Sequence, residues 1–192
     1  MTATRVMCAI IVSAALSACN ASKDNAANPS AFGLGHEPSA AQLAALDIDV
    51  DASGHGLPEG KGTVAEGAQM YAQQCAVCHG PKGEGIAPAP QLIGRTPDAG
   101  YAFANDGKAP RTIGNYWPYA TTVFDYVRRA MPLNLPGSLS ADQTYSLVAF
   151  LLNANGVIPD TLVMDAKSLP AVQMPAKKFF VQDNRTGGAG FR

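Results

Sequence analysis

Residues 75–79 read Cys-Ala-Val-Cys-His, and no other five positions constrain this chain as strongly. The 192 residues include only four cysteines and three histidines, so this one segment concentrates three of those side chains. Two cysteines three apart, followed at once by a histidine, is the spacing at which c-type haem is attached covalently. On a helix, positions three apart share a face, so Cys75 and Cys78 present both sulfurs to one edge of a porphyrin. His79, one step on, turns toward the iron. Covalent attachment also lets a small domain with 7% aromatic residues hold a large apolar group, which then forms much of the core.

The remaining cysteines fit an exported protein. Arg5 precedes an apolar run from Val6 to Leu16, too short for the roughly 20 apolar residues that span a bilayer. Residues 1–18 therefore read as an export signal. Leu-Ser-Ala-Cys at 16–19 matches a bacterial lipobox, so Cys19 is expected to receive a diacylglycerol and become the new N-terminus. An ordinary signal peptide cleaved after Ala18 is the plain alternative. Cys8 leaves with the signal, which makes Cys75 and Cys78 the only free thiols in an oxidising compartment. The expected location is the periplasm, lipid-anchored to a bacterial membrane. A net charge of -1 with 15% charged residues provides no basic stripe for nucleic acid, so docking must rely on a local patch.

Four stretches follow: the signal 1–18, a lipid-anchored tether and N-terminal extension 19–62, a domain 63–156 and a C-terminal tail 157–192 lying over it. The expected class is all-α. SAAQLAALDI allows a short helix, whereas GHGLPEGKG is loop. Thr63 with Glu66 forms a capping box, followed by Ala68, Tyr71, Ala72 and Cys75 at helical spacing. Residues 80–94, rich in Gly and Pro, predict an irregular segment wrapped around something. A second helix is expected over 122–130, with Arg128 and Arg129 near its negative end and Pro132 as its stop. A third starts at Ser140, capped by Gln143, and ends at Asn155 and Gly156. Strand-like alternation is weak throughout.

A histidine ligand needs its second ring nitrogen engaged, commonly by a backbone carbonyl. Pro90, in the loop after His79, supplies a carbonyl fixed by proline. An electron carrier also needs a sixth iron ligand, and Met/His ligation raises the potential. Beyond the signal the methionines are Met70, Met131, Met164 and Met174. Met70 precedes Cys75 on the attachment helix and cannot reach the opposite face of the ring. Met164 and Met174 lie in the tail, where a flexible apolar filler is the simpler reading. Met131, at a rigid helix exit, remains.

Gly67 and Tyr71 before CAVCH, PQLIG after it, AMP at 130–132 and the closing helix with VAFLL together resemble class I cytochrome c, over roughly residues 62–156. The resemblance implies that fold, a small helical domain wrapped around one covalent haem c, with His79 and Met131 as metal ligands. It also implies that Gly67 lets the first helix cross closely over the last, near Tyr145 and Phe150. Arg95, Tyr116 and Trp117, with Arg111, are then candidates to hold the haem propionates; aromatic packing and solvated surface charge are the plain alternatives. A narrower similarity, through FGLG, LDIDV, TIGNYWPYATTVFDYVRRAMP, PGSLS, NGVIPD and SLPAVQMP, is to cytochrome c subunits of sulfite or sulfane dehydrogenases, whose partner is a molybdenum protein.

Three functions compete. The first is a monohaem electron carrier, not itself an enzyme, passing single electrons from a periplasmic dehydrogenase toward a downstream cytochrome or terminal oxidase. That dehydrogenase is a molybdenum enzyme of sulfur compounds or a different one. The second is a haem enzyme, a thiosulfate-converting cytochrome or a peroxidase, which wants an open iron site and usually a second haem. The third is a zinc module, for which only His36 and His55 could complete four ligands, from loops without suitable spacing.

Overall fold

The computed structural model describes residues 34–94, 100, 101, 103, 107 and 109–181. The chain divides into two units, Met1–Leu46 and Asp47–Arg192. In the first, helix α1 (Ala40–Leu46) is exposed along its length. Ser39 starts it: its backbone N–H donates to Gln42 Oε1 at 2.8 Å, and its hydroxyl accepts from Gln42 N–H at 3.2 Å.

The second unit is helical, with one antiparallel pair of two-residue strands among the described residues. Strands β1 (Lys61–Gly62) and β2 (Met164–Asp165) pair Lys61 with Asp165 and Gly62 with Met164. Helix α2 (Val64–Met70) begins at the expected box: Thr63 accepts from Glu66 N–H, and Glu66 accepts from Thr63 N–H at 3.0 Å. The chain then widens into a π-helical turn, Tyr71–Cys75, before α3 (Ala76–His79). That turn corrects the plain helix read from spacing. The Ala76 N–H reaches back five residues to the Tyr71 carbonyl, which changes the phase of all that follows. Tyr71 is buried while Ala72, expected on the inner face, is exposed.

Helix α4 (Ile113–Tyr116) was not foreseen; its signal is a Thr112/Asn115 capping box in which asparagine stands where glutamate or glutamine is usual. Helix α5 (Ala120–Ala130) starts two residues before the expected Thr122, and Met131 leaves it in extended backbone, as a residue before proline must. Helix α6 (Ala141–Ala154) carries the Ser140/Gln143 box and is central. Thr144, Tyr145, Ser146, Leu147, Val148, Ala149, Leu151 and Leu152 are all buried, so α6 is enclosed on most of its circumference. Two of its buried hydroxyls are satisfied by the preceding turn: Thr144 donates to the Ser140 carbonyl and Ser146 to the Asp142 carbonyl, both at 2.8 Å.

The C-terminal segment enters the core as well as covering it. Met164, Leu169 and Met174 belong to the same buried cluster as Phe124, Tyr145 and Leu152. The two methionines read as flexible filler are thus core residues.

Candidate functional site

The attachment segment is held by its own loop. Gly80 ends α3 at φ +79°, a conformation glycine adopts without penalty, and its carbonyl accepts from the buried Tyr71 hydroxyl at 2.8 Å. The loop folds back on the turn: Gly85 N–H donates to the His79 carbonyl at 2.8 Å and Ile86 N–H to the Cys78 carbonyl at 3.1 Å. Leu92 N–H donates to the Gly83 carbonyl at 2.8 Å, and Ile113 N–H to the Leu92 carbonyl at 3.0 Å. Much of this irregular segment's backbone is thereby hydrogen-bonded.

That closure places Pro90 over the histidine. His79 Nδ1 lies 2.9 Å from the Pro90 carbonyl oxygen. A carbonyl only accepts, so Nδ1 carries the proton and Nε2 is left with its lone pair free for an electrophile.

His79 lines a cleft of about 210 Å³ together with Pro90, Arg111, Trp117 and Met131. Leu92, Ile113, Val123, Val127 and Leu151 supply its apolar walls. Among the four candidate methionines Met131 alone lines this cleft. Met70 lines a separate, more open groove beside Lys61, Glu66 and Gln143, and Met164 and Met174 are buried in the core. The cleft side of α5 follows its helical repeat: Val123, Val127 and Met131 are four apart.

Cys75 and Cys78 are both unbridged; Cys75 is half-buried against the core and Cys78 exposed. Burial, then the neighbouring Cys78 charge, pushes the Cys75 thiol up to about 11. In that setting the sulfur is a neutral thiol. A thiol able to form a neutral thioether suits such a site better than a metal-bound thiolate.

The remaining expected residues divide. Trp117 reaches the cleft and packs on Tyr126, ring centroids 5.8 Å apart. Arg111 also reaches it, with its guanidinium 4.5 Å from the Tyr116 ring. Tyr116 is not among the lining residues; its ring stacks on Phe103 at 5.3 Å and meets Phe180 edge-on at 5.8 Å. Arg95 and Cys19 lie outside the described residues. His36 and His55 are exposed, and among the described residues no three His, Cys, Asp or Glu side chains converge as a metal would require.

One residue of the site was read only as a helix terminator. Asn155, buried at the end of α6, donates through Nδ2 to the Leu92 carbonyl at 3.1 Å and the Leu151 carbonyl at 2.8 Å. Its Oδ1 accepts from Gly94 N–H at 3.2 Å. It ties the far end of the histidine loop to the central helix across 61 and 63 positions of sequence, a partnership that no local pattern encodes.

Residues 64–155 match the protein-family model described as Cytochrome c. In the crystal structure of the sulfane dehydrogenase SoxCD from Paracoccus pantotrophus, one chain superposes on this one with a TM-score of 0.69 at 40% identity. The match covers 80% of this chain and 73% of that one. The chain belongs to the cytochrome c family. The cytochrome is also 35% identical, over 95 residues, to thiosulfate dehydrogenase from Stutzerimonas stutzeri (strain A1501). Those residues are 49% of the cytochrome and 28% of that enzyme, so the cytochrome matches little more than a quarter of this relative's length.

With the family comes haem c, bound covalently. The residues present suit it. Two unbridged thiols stand three apart, the imidazole beside them has its outer nitrogen engaged by a carbonyl, and a thioether lines the same apolar cleft.

Proposed function

We propose that this cytochrome is a one-electron carrier, in which Cys75 and Cys78 would hold one haem c through thioether bonds and His79 and Met131 would ligate its iron. The observation that carries this reading is the presence of the His79 ring, engaged by the Pro90 carbonyl, and Met131 on one apolar cleft. Haem c bound there supplies a one-electron couple at its iron. The chain's own residues set its terms. Pro90 holds His79 in the Nδ1–H tautomer, so Nε2 stays available as a donor. A methionine thioether as the other ligand favours the reduced state and raises the potential. Leu92, Ile113, Val123, Val127 and Leu151 exclude water, which disfavours the higher net charge of the oxidised centre. Arg111 and Trp117 are among the polar-tipped side chains on the cleft, and in this reading they are the ones that would hold the propionates.

With His79 and Met131 both given over to the iron, no position would remain there for a substrate, and the chemistry would be electron exchange alone. The partner in this reading is a periplasmic, molybdenum-containing dehydrogenase of sulfur compounds, and the acceptor is a downstream cytochrome or terminal oxidase. Likeness to a chain of a sulfane dehydrogenase supports it. Val77, Ile86, Leu133 and Leu135 are large exposed apolar residues on the segments flanking His79 and Met131, and they provide the local contact patch that a weakly charged protein needs. The export signal 1–18 and lipid at Cys19 belong to the same proposal. They would hold the cytochrome at a membrane in the periplasm.

The test is to produce the full chain in a host that matures c-type cytochromes, to find whether a neighbouring reading frame encodes a molybdenum dehydrogenase, and to mix the cytochrome with that enzyme. Expected are one haem by mass, a covalent haem stain on a denaturing gel, and rapid reduction on adding sulfite in a stopped-flow instrument. A colourless polypeptide would overturn the haem reading, and no reduction by the neighbouring enzyme would overturn the partner. A second reading, a thiosulfate-converting enzyme, is favoured by the match to thiosulfate dehydrogenase. It predicts turnover of thiosulfate by the isolated cytochrome and fast, complete binding of carbon monoxide to its reduced form.

A further inference from the structure

The helix that ends at Met131 is gripped from outside. Residues 48–52 run along α5 and make three hydrogen bonds to it in opposite chain directions. Thr121 Oγ1 donates to the Ala52 carbonyl at 3.0 Å, Asp125 Oδ1 accepts from Val50 N–H at 2.8 Å, and Arg128 Nη1 donates to the Ile48 carbonyl at 3.3 Å. Alternate residues of the strap thus meet positions four and three apart on α5, the spacing of one helix face. The Val50 side chain is buried in the core beside this seam. The cleft face of α5, Val123, Val127 and Met131, belongs to a different set of positions. The same helix is clamped by one stripe and serves the cleft with another.

Asp125 is the centre of the seam. Its side chain is 14% exposed, and besides Val50 it accepts from Arg129 Nε at 2.7 Å and from Arg129 Nη2. One carboxylate therefore joins the strap to the last turn of α5, where the chain passes to Met131. Within a helical turn, Arg128 repeats the tie to the strap. Hydrogen bonds to an ionised acceptor are among the stronger polar contacts a protein makes.

We infer that Asp125 is a positioning residue for the sixth ligand: through Val50 and Arg129 it holds the C-terminal turn of α5 against the core and so keeps Met131 on the cleft. This rests on the reading of Met131 as an iron ligand. It goes beyond that reading in assigning a function to residues 48–52, which lie outside the stretch matched by the family model. Without the carboxylate the Val50 N–H loses its partner and Arg129 its anchor. The turn then opens more often, and the thioether leaves the iron more often.

The experiment uses the full mature holoprotein and imidazole as an entering probe. Its binding to the oxidised form is limited by departure of the native sixth ligand. Asp125→Ala is expected to bind imidazole about tenfold faster than the parent, as loss of about one charged hydrogen bond implies. Its reduction potential should fall, and its covalent haem content should be unchanged. Asp125→Asn keeps an acceptor for Val50 and should return most of the way to the parent rate, while Thr121→Val, at the far end of the seam, should raise the rate only a few-fold. Ser140→Ala, which removes the cap of α6, is the control for general loss of stability. If Asp125→Ala fails to fold, Asp125→Asn and Thr121→Val against Ser140→Ala decide the matter, and rates equal to the control's overturn the clamp. A Met131→Ala protein that kept the near-red sulfur-to-iron band would overturn the ligand reading, and the clamp with it. If that variant lost the band while Asp125→Ala bound imidazole no faster than Ser140→Ala, the clamp alone would fall.

Discussion

Gly67 lies so close to the Ser146 backbone that a methyl group on its α carbon would collide with the Ser146 carbonyl oxygen and come within 2.8 Å of Phe150 Cβ. The crossing of α2 over α6 is thus set by the absence of a side chain, and it brings Tyr71 onto Phe150 with ring centroids 5.0 Å apart. The obstacle is backbone within a central helix and cannot rotate away. Gly67→Ala is expected to cost about 2–3 kcal/mol despite its higher helix propensity, read as a lower urea midpoint with an unchanged slope. A stabilised Gly67→Ala protein would show that the helices cross elsewhere.

Asn155 bonds the Leu92 carbonyl and the Gly94 N–H, and so holds the loop that carries Pro90. Replacing it by alanine takes the partner from the half-buried Gly94 N–H and one of two donors from the Leu92 carbonyl, and the expected loss is about 1–2 kcal/mol. Resonance Raman or NMR of His79 should also show a weakened hydrogen bond from Nδ1–H to the Pro90 carbonyl. A variant that lost stability while keeping the parent histidine signature would confine Asn155 to a structural role.

Tyr71 and Tyr145 set an alkaline limit. Burial pushes each phenol up to about 12, and their hydroxyls donate to the Gly80 and Pro58 carbonyls at 2.8 and 2.9 Å. The folded state favours the neutral phenol, whereas the unfolded chain releases that proton near pH 10, by about the reference value. Stability from these groups is complete below about pH 10 and is lost as the pH rises from about 10 toward 12. Urea titrations at pH 8, 10 and 11 should show the midpoint falling mainly over the last interval. Tyr145→Phe should flatten that fall at a cost of about 1 kcal/mol at neutral pH. A midpoint independent of pH would contradict the burial of both hydroxyls.

Leu133 and Leu135 are 80% and 60% exposed just beyond Met131. If the proposed dehydrogenase docks here, Leu133→Asp is expected to slow reduction by it about tenfold or more at constant potential and stability, because it would set a hydrated charge into an apolar contact. An unchanged second-order rate constant would move the docking surface elsewhere.

Much of this architecture is written in stretches of four or five residues. The Thr63/Glu66 and Ser140/Gln143 boxes, the stop before Pro132 and the CAVCH spacing each depend on neighbours along the chain, so they were legible and reappear in the structure. The start of α4 was also local, but Asn115 in place of a longer acceptor hid it. The π-helical turn at Tyr71–Cys75 escaped because residue spacing alone does not mark a change from four-residue to five-residue hydrogen bonding.

What the amino-acid order determined unaided was the chemistry of attachment and the ends of the helices, because caps, proline stops and sulfur spacing act over one helical turn. Tertiary structure alone decided that Met131 shares a cleft with His79, that Asn155 holds the loop and that Asp125 receives the Val50 N–H 75 residues away. Those contacts arise only once burial has closed the chain on itself, and a buried donor then takes whichever acceptor the packing presents.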